Sequence, residues 1–324
     1  MARTIVGILR GGPSSEYSLS LKTGAAMQAA LGEEHYETRD IFIDKHGVWH
    51  LRGIPAEPPR ALSQIDIVLN GLHGGIGEDG TVHRVLERAG IAYAGSRARG
   101  ASLSLNKIRA REILQKAGVR MPRGMSFTLG NKISTADMTR SVFSQFGPPY
   151  IVKPANEGAG HGLRLAAHVG ELPDVIADIL DEYGAALVEE YLAGEEASVG
   201  IIEDFRGEGL YAFPPVHVIL PNDARFFHPE AHEQALARHE CPSNFTHSEK
   251  RAIADLARAA HTALGLSHFS RSDIILTRHG PYLLEVNSLP GLYVGASFPP
   301  MLDAVGSSVR EFLEHGIGLA RIGV

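Results

Sequence analysis

Residues 271–287 read RSDIILTRHGPYLLEVN. Two apolar runs, Ile274-Ile275-Leu276 and Tyr282-Leu283-Leu284, flank Arg278-His279-Gly280, a triplet suited to a three-residue hairpin loop with glycine in the left-handed position. In that register Asp273 lies opposite Glu285, and Arg271 lies opposite Asn287. Side chains two apart share one face of a strand, so a guanidinium, two carboxylates and an amide oxygen are expected on one patch. Charges set into a buried-looking strand pair need partners. Oxygen donors at this density suit Mg²⁺, which takes carboxylates together with substrate phosphates, and an arginine beside them suits the same phosphates. For the hairpin taken alone, a solvated polar face is the competing reading.

The chain has 324 residues, a length that fits about two or three domains and a large core. Its net charge of −6 gives no basic field for nucleic acid or anionic lipid, so any phosphate binding has to be local. Cys241 is the sole cysteine, which excludes an internal disulfide. No stretch is long enough to span a bilayer, and the opening MARTIVGILRGG reads as a first strand, not a signal peptide. A soluble, cytoplasmic protein without nucleic-acid or membrane partners is expected.

Strand and helix alternate through the first third. Strands are expected at 4–9, 37–43 and 65–72, and helices at 16–31, capped by Ser14 or Ser15, and at 81–89. That is the pattern of an open parallel sheet. After Gly95 it changes. One helix is expected over 102–117, ended by Gly118, then a strand at 150–154, a glycine-rich loop, a strand at 163–166, a helix at 171–183 and an extended run at 186–190. Strands at 200–202 and 216–220 follow. Residues 222–244 lack an apolar period and read as a long loop, a candidate lid. Helices at 248–264 and 305–317 complete the chain.

Several loops carry candidate chemistry. Asn156-Glu157-Gly158-Ala159-Gly160-His161-Gly162 follows a strand bearing Lys153. Alternating glycines let backbone N–H groups converge on an anion, and Lys153 adds a point charge; a tight hairpin turn explains the glycines equally well. The loop is neither a Walker loop nor a dinucleotide fingerprint. Lys107 near a helix start is ordinarily just solvated. Gly11-Gly12-Pro13-Ser14-Ser15-Glu16 lies where open α/β sheets bind ligands, although Glu16 also compensates a helix dipole. His73-Gly74-Gly75-Ile76-Gly77-Glu78-Asp79-Gly80 implies close backbone approach, to a ligand or in a chain reversal. In Val188-Glu189-Glu190-Tyr191-Leu192 and Gly194-Glu195-Glu196, carboxylates could accept from an adenine amine and ribose hydroxyls, or form a solvated acidic edge. His228, His232, His239 and Cys241 raise the question of zinc, but their spacings match no standard ligand set.

In this order, GGPSSEYSLSL, LHGGIGEDGT, AGIAYAGS, KPANEGAGHG, VEEYLAGEE and RSDIILTRHGPYLLEVNSLPG resemble the D-alanine–D-alanine ligase family of the ATP-grasp superfamily, from Ile5 to about Pro300. The resemblance implies an α/β N-terminal domain with an open parallel sheet over 1–97, then a two-lobed α+β ATP-grasp fold, its central lobe over 98–187 and its C-terminal lobe over 188–324. It implies that Glu16 holds the ammonium of a first amino acid with His73 nearby. Lys107, Lys153 and the glycines Gly158, Gly160 and Gly162 would serve ATP phosphates, with Glu189 at the adenine and Glu196 at the ribose. Arg271 would stabilise the transferred phosphoryl group, and Asp273, Glu285 and Asn287 would hold two Mg²⁺ or Mn²⁺ ions. The implied activity joins two D-amino acids through an acyl phosphate made with ATP, for peptidoglycan precursors, in a homodimer.

The departures from the family cluster on the acceptor side. The usual Gly-Ser-Ser-Val-Gly is Gly158-Ala159-Gly160-His161-Gly162. The lid lysine that reaches the γ-phosphate is His232, followed by Glu233 in place of tyrosine. The serine that grips the second carboxylate aligns with Ala296, leaving Ser297 one step on. The family's D-alanyl-D-alanine product thus stands beside two further readings. One is the same chemistry with D-lactate, D-serine or another amine as acceptor, with a choice made pH-dependent by a histidine-bearing lid. The other is a paralogue that binds ATP without turnover, against which the complete metal set argues.

Overall fold

The computed structural model of the chain describes residues 3–130, 132–220 and 237–322. The N-terminal part follows the expected alternation: β1 (Thr4–Gly11), α1 (Tyr17–Ala30), β2 (Tyr36–Ile43), β3 (Trp49–Leu51), β4 (Ile54–Pro55), α2 (Pro58–Ala61), β5 (Ile67–Asn70), α3 (Thr81–Arg88) and β6 (Ala92–Ala94). Strand order is β4-β3-β2-β1-β5-β6. The four strands β2, β1, β5 and β6 are parallel, and the short β3 and β4 extend one edge antiparallel. The central strands β1, from Ile5 to Leu9, and β5 read as near-continuous apolar runs because both their faces are covered, whereas β2 is polar over its first half. Val6, Ile8, Ile67 and Leu69 face one core; Leu9, Ile41, Ile43 and Val68 face another.

Next come α4 (Ala98–Leu105) and α5 (Lys107–Lys116), where the sequence reading expected one helix. Asn106 interrupts it. Its backbone is extended, and its side chain accepts from the Arg109 N–H as an N-cap. The break makes Lys107 the first residue of α5. A four-stranded antiparallel sheet follows, ordered β7-β10-β8-β9, from β7 (Gly124–Thr128), β8 (Tyr150–Pro154), β9 (Arg164–Ala166) and β10 (Ala185–Glu190). Helices α6 (Thr135–Phe143) and α7 (Leu172–Tyr183) cover one of its faces through Met138, Val142, Ile176 and Ile179. Strand β10 spans the boundary expected between 187 and 188, and all six of its residues pair within this sheet.

The last sheet is ordered β14-β13-β11-β15-β16, with β12 (Glu208–Ala212) folded back on β11 (Glu195–Phe205). Its other strands are β13 (Val216–Ile219), β14 (Arg238–Glu240), β15 (Phe269–Thr277) and β16 (Gly280–Asn287). Strand β14 lies inside the stretch expected to be loop; residues 222–236 of the expected lid, including His228 and His232, lie outside the described residues. Helix α8 (His247–Ala263), started by a Thr246–Glu249 capping box, packs Ile253, Ala257 and Ala260 onto Val199, Ile274, Leu276 and Leu283. Two prolines hid α9 (Phe298–Ala304) from the sequence reading, although Pro299 and Pro300 occupy the first turn, where proline is tolerated. The closing helix α10 runs Val309–Ile322, four to five residues later than expected, because Gly306 takes a left-handed conformation just before it.

The hairpin differs in its turn. Thr277 pairs with Gly280, so the loop is the two residues Arg278 and His279, with Gly280 at φ +100°. A two-residue turn alone would place Asp273 against Leu284. The pairing instead jumps from Ile274↔Leu283 to Asp273↔Glu285, leaving Leu284 as the extra residue of a β-bulge. The expected pairs Asp273–Glu285 and Arg271–Asn287 therefore form, for a reason other than the one that suggested them.

One glycine seats this sheet on the C-terminal helices. A Cβ on Gly200 would lie 2.6 Å from Phe298 Cε2 and 3.0 Å from Phe213 Cδ2, both rings being buried. Overpacking costs about 1–3 kcal/mol. Gly200→Ala is expected to lower the unfolding free energy by that amount, read as a lower urea midpoint at an unchanged slope of the transition.

Candidate active site

The outer face of the last sheet gathers the polar side chains. Glu196 and Ser198 are two apart on β11, Arg271 and Asp273 on β15, and Glu285 and Asn287 on β16, so each pair shares a face. Cross-strand pairing aligns Ser198, Asp273 and Glu285 in one row and Glu196, Val218 and His239 in another. The bulge lets adjacent residues Leu284 and Glu285 both line the same cavity. The reverse face, Ala197, Val199, Ile274 and Leu283, is the core under α8.

The charges are tied together. Arg271 grips Asp273 with both prongs, Nε to Oδ1 at 3.0 Å and Nη2 to Oδ2 at 2.8 Å. Asp273 also accepts from Ser198 Oγ at 2.8 Å and from Asn287 Nδ2 at 3.1 Å. Lys107 Nζ stands 3.2 Å from Glu285 Oε2 and donates to the Glu157 carbonyl. Burial would raise the Glu285 carboxyl, but Lys107, then Lys153 and Arg271, hold it down to about 2. Glu196 goes the other way: burial, and then the negative charges of Asp273 and Glu285, push it up to about 8. His239, pressed down to about 4 by burial and by Arg271, is a neutral imidazole at neutral pH.

The N-terminal part closes this face from the other side. Glu16 stands at the start of α1 and is buried, with its carboxylate against two glycine backbones. A Cβ on Gly158 would lie 2.3 Å from Glu16 Oε1, and one on Gly74 would lie 2.7 Å from it. Gly74, at φ +62°, favours glycine for its backbone, and a side chain at Gly158 would have to displace the Glu16 carboxylate. Burial, and then Glu78, push Glu16 up to about 8. Neutral His73, near 3 because of its burial, meets Thr23 Oγ1 at 2.7 Å. Ser14, expected as a possible helix cap, accepts from the Glu16 N–H at 3.3 Å and also donates to the His73 carbonyl, which ties the two glycine loops together. Glu16, His73, Glu78, Arg271, Glu285 and Asn287 line one small cavity.

An acid whose folded value is raised favours folding below its ordinary 4.5 and loses that contribution as pH rises to about 8. The contribution of Glu16 is therefore lost across that window. Glu16→Gln is expected to remove that loss and raise the urea midpoint at pH 8, while leaving stability below pH 4.5 nearly unchanged.

The glycine-rich loop joins β8 to β9 as a hairpin. Gly160 and Gly162 are left-handed, as is Ala159 at φ +49°. Gly160 and His161 line the cavity beside Lys107 and Lys153, whereas Gly162 packs on Pro154 and Tyr183 and is outside that lining. The loop is fastened to α5 by Lys107 N–H to the Ala155 carbonyl at 2.8 Å, and to the N-terminal part by Ser15 Oγ to Glu157 at 2.7 Å. Lys153 Nζ lies 2.7 Å from Glu189 Oε2, and Arg111 Nη1 lies 2.8 Å from Glu189 Oε1. A second cleft, lined by Ile151, Glu189, Tyr191, Leu192, Val218 and Leu284, shares Lys153 and Glu196 with the first. Apolar walls with a few polar groups at one end suit a flat aromatic base leading to a charged chain.

Each expected site residue among those described thus falls in or against these connected cavities, except Gly162. Arg111, Ser198, Glu78, Leu284 and Tyr293 join them without having been singled out. Ser198 was within reach: it follows Glu196 by two on a strand. Ser297 Oγ is 3.1 Å from Ser198 Oγ, and Ala296 lines the same cavity without a polar group.

Among the described residues no group of three or more His, Cys, Asp or Glu is placed to hold a metal ion. The set Asp273, Glu285 and Asn287 nevertheless fits Mg²⁺. It supplies oxygen donors only, too few for an all-protein cage, and Mg²⁺ fills its octahedron from substrate phosphates and water. Asp273 and Glu285 stand opposite each other across the hairpin, with Asn287 bonded to Asp273, so the three donors lie together.

A family model described as the D-ala D-ala ligase C-terminus matches residues 113–317. The D-alanine–D-alanine ligase of Desulforudis audaxviator is 30% identical over 318 residues, covering 98% of this chain and 98% of its own. That of Geobacter sulfurreducens is 32% identical, covering 96% and 92%. The crystal structure of a D-alanine–D-alanine ligase from Bacillus anthracis complexed with ATP superposes with a TM-score of 0.81 at 25% identity, over 99% and 98% of the two chains.

Proposed function

The chain belongs to the D-alanine–D-alanine ligase family, and from that premise we propose that it joins two D-amino acids, with D-alanine as donor, through an acyl phosphate. It is an ATP-dependent ligase. The observation that carries the proposal is the convergence of Arg271, Asp273, Glu285 and Lys107 on a cavity that continues to Glu16 on one side and to the Glu189 cleft on the other.

Roles follow from position. The Glu189 cleft takes the adenine and Glu196 the ribose, while Lys107 and Lys153 counter the triphosphate charge. Glu16 takes the donor's ammonium, a cation that would return its carboxyl to the ionised form. The donor's carboxylate oxygen attacks the γ-phosphorus. The new P–O bond forms as the bond to ADP breaks, leaving an acyl phosphate. Positioning and charge stabilisation dominate such transfers, and Arg271 spans the site of the moving phosphoryl group. The acceptor's amine nitrogen then attacks the acyl carbon. The C–N bond forms, the C–O bond to phosphate breaks, and the departing phosphate takes the amine's proton. A divalent cation on Asp273, Glu285 and Asn287 would supply neutralisation of the phosphate charge during both steps. The three sheets then act as three units, the N-terminal one bringing the donor and the other two closing on ATP.

A second reading concerns the acceptor. Ala296 has no hydroxyl to offer, and the Ser297 hydroxyl is engaged with Ser198. With fewer hydroxyls to grip a carboxylate that every such acceptor carries, that side no longer has the contact that fixes D-alanine there, which leaves room for D-lactate, D-serine or another amine as acceptor. Phosphate release with ATP and Mg²⁺, measured across D-amino and D-hydroxy acids, separates the readings. Release with D-alanine alone, with the dipeptide as product, supports the first. Release only when another acceptor accompanies D-alanine supports the second. No release with any would overturn both.

A further inference from the structure

Tyr293 stands between the donor cavity and the cavity in front of Ala296 and Ser297, together with Arg271 and Glu285, which also line both. Its side chain lines both, and it does so as an apolar ring among charged neighbours. Three elements hold it. Leu19 comes from α1, Ala159 from the glycine-rich loop, and Ala296 from the segment before α9. Beneath it, a Cβ on Gly291 would stand 2.8 Å from the ring's Cε1, so the ring lies directly on the backbone. Lys22 Nζ approaches the ring centroid at 5.9 Å. The side chain is 8% exposed, and its hydroxyl is pushed up to about 12 by burial, so it stays neutral.

The donor cavity is small, about 30 Å³, and most of its lining is polar. Under the reading above, on which this inference rests, Glu16 is committed to the amino acid's ammonium, Arg271 to the moving phosphoryl group, and Glu285 and Asn287 to the cation. What remains for the donor's side chain is the apolar wall of Leu19, Ala159, Leu289 and Tyr293. Leu19 belongs to a regular helix and Ala159 is already small. We infer that the Tyr293 ring sets the size limit on the donor's side chain, holding it near a methyl group and keeping it out of the acceptor cavity. The bulk of the ring does this, not its hydroxyl.

A hydrophobic wall discriminates by about 10- to 200-fold per methylene. For Tyr293→Ala, ADP release measured over a series of donors from D-alanine through D-2-aminobutyrate to D-methionine should show kcat/KM falling for D-alanine and rising for the longer chains. The ratio should shift by at least about tenfold. Tyr293→Phe should keep the wild-type order, and Tyr293→Leu should fall between, giving a reading if the alanine variant does not fold. Folded alanine or leucine variants with the wild-type order and unchanged ratios would overturn the inference while leaving the ligase reading intact. A wild-type protein active on no D-amino acid would overturn the ligase reading, and this inference with it.

Discussion

Glu285→Gln should reduce phosphate release at least about a hundredfold while the protein stays folded. Glu285 sits where β16 bulges, opposite Asp273, and is held ionised at about 2 by Lys107, Lys153 and Arg271. The amide is nearly isosteric, so the hairpin and its register should survive. What it removes is one of the two carboxylates available to a divalent cation and the charge that holds Lys107 at 3.2 Å. Lys107 would then lose its anchor on the cavity wall and keep only its backbone contact with Glu157. Raising Mg²⁺ should recover part of the lost rate if the defect is cation affinity. A variant with near-normal turnover at ordinary Mg²⁺ would remove Glu285 from the mechanism.

Arg271→Ala should be as damaging to turnover and worse for stability. The guanidinium holds Asp273 through two hydrogen bonds in a half-buried setting. Deleting it leaves an unpaired carboxylate next to Glu285 and Glu196, a situation that costs about 3–5 kcal/mol when fully buried and less at this half-buried position. Arg271→Lys restores a positive charge but not the planar fork. The lysine variant should therefore unfold at nearly the wild-type urea concentration and still lose about 10²–10³ in kcat. Recovery of turnover by lysine would reduce the role of Arg271 to a simple counter-charge.

The hairpin shows how far the sequence reading reached. Alternation of Arg271, Asp273, Glu285 and Asn287 was legible because a strand has a period of two and the apolar runs mark its buried face. The turn was not. A bulge at Leu284 compensates a shorter loop, and nothing local distinguishes the two solutions. The split at Asn106 was missed because asparagine is tolerated within a helix; only the cap to Arg109 and the Lys107–Ala155 hydrogen bond make it a start. Arg111 carried a readable signal, a charged residue three before buried Leu114 on an amphipathic helix, but its partner Glu189 lies 78 residues away. Tyr293 had no local signal at all. Its position between two cavities depends on α1, the glycine-rich loop and the last sheet coming together.

The most direct test follows oxygen. Ligation run with ATP, Mg²⁺ and D-alanine carrying ¹⁸O in its carboxylate should release inorganic phosphate containing one ¹⁸O atom for every dipeptide formed, because the donor's own oxygen attacks the γ-phosphorus and leaves with it. Phosphate released without label, alongside dipeptide, would contradict attack by the carboxylate, and the roles of Glu16, Arg271 and the opposed acids of the hairpin would fall with it.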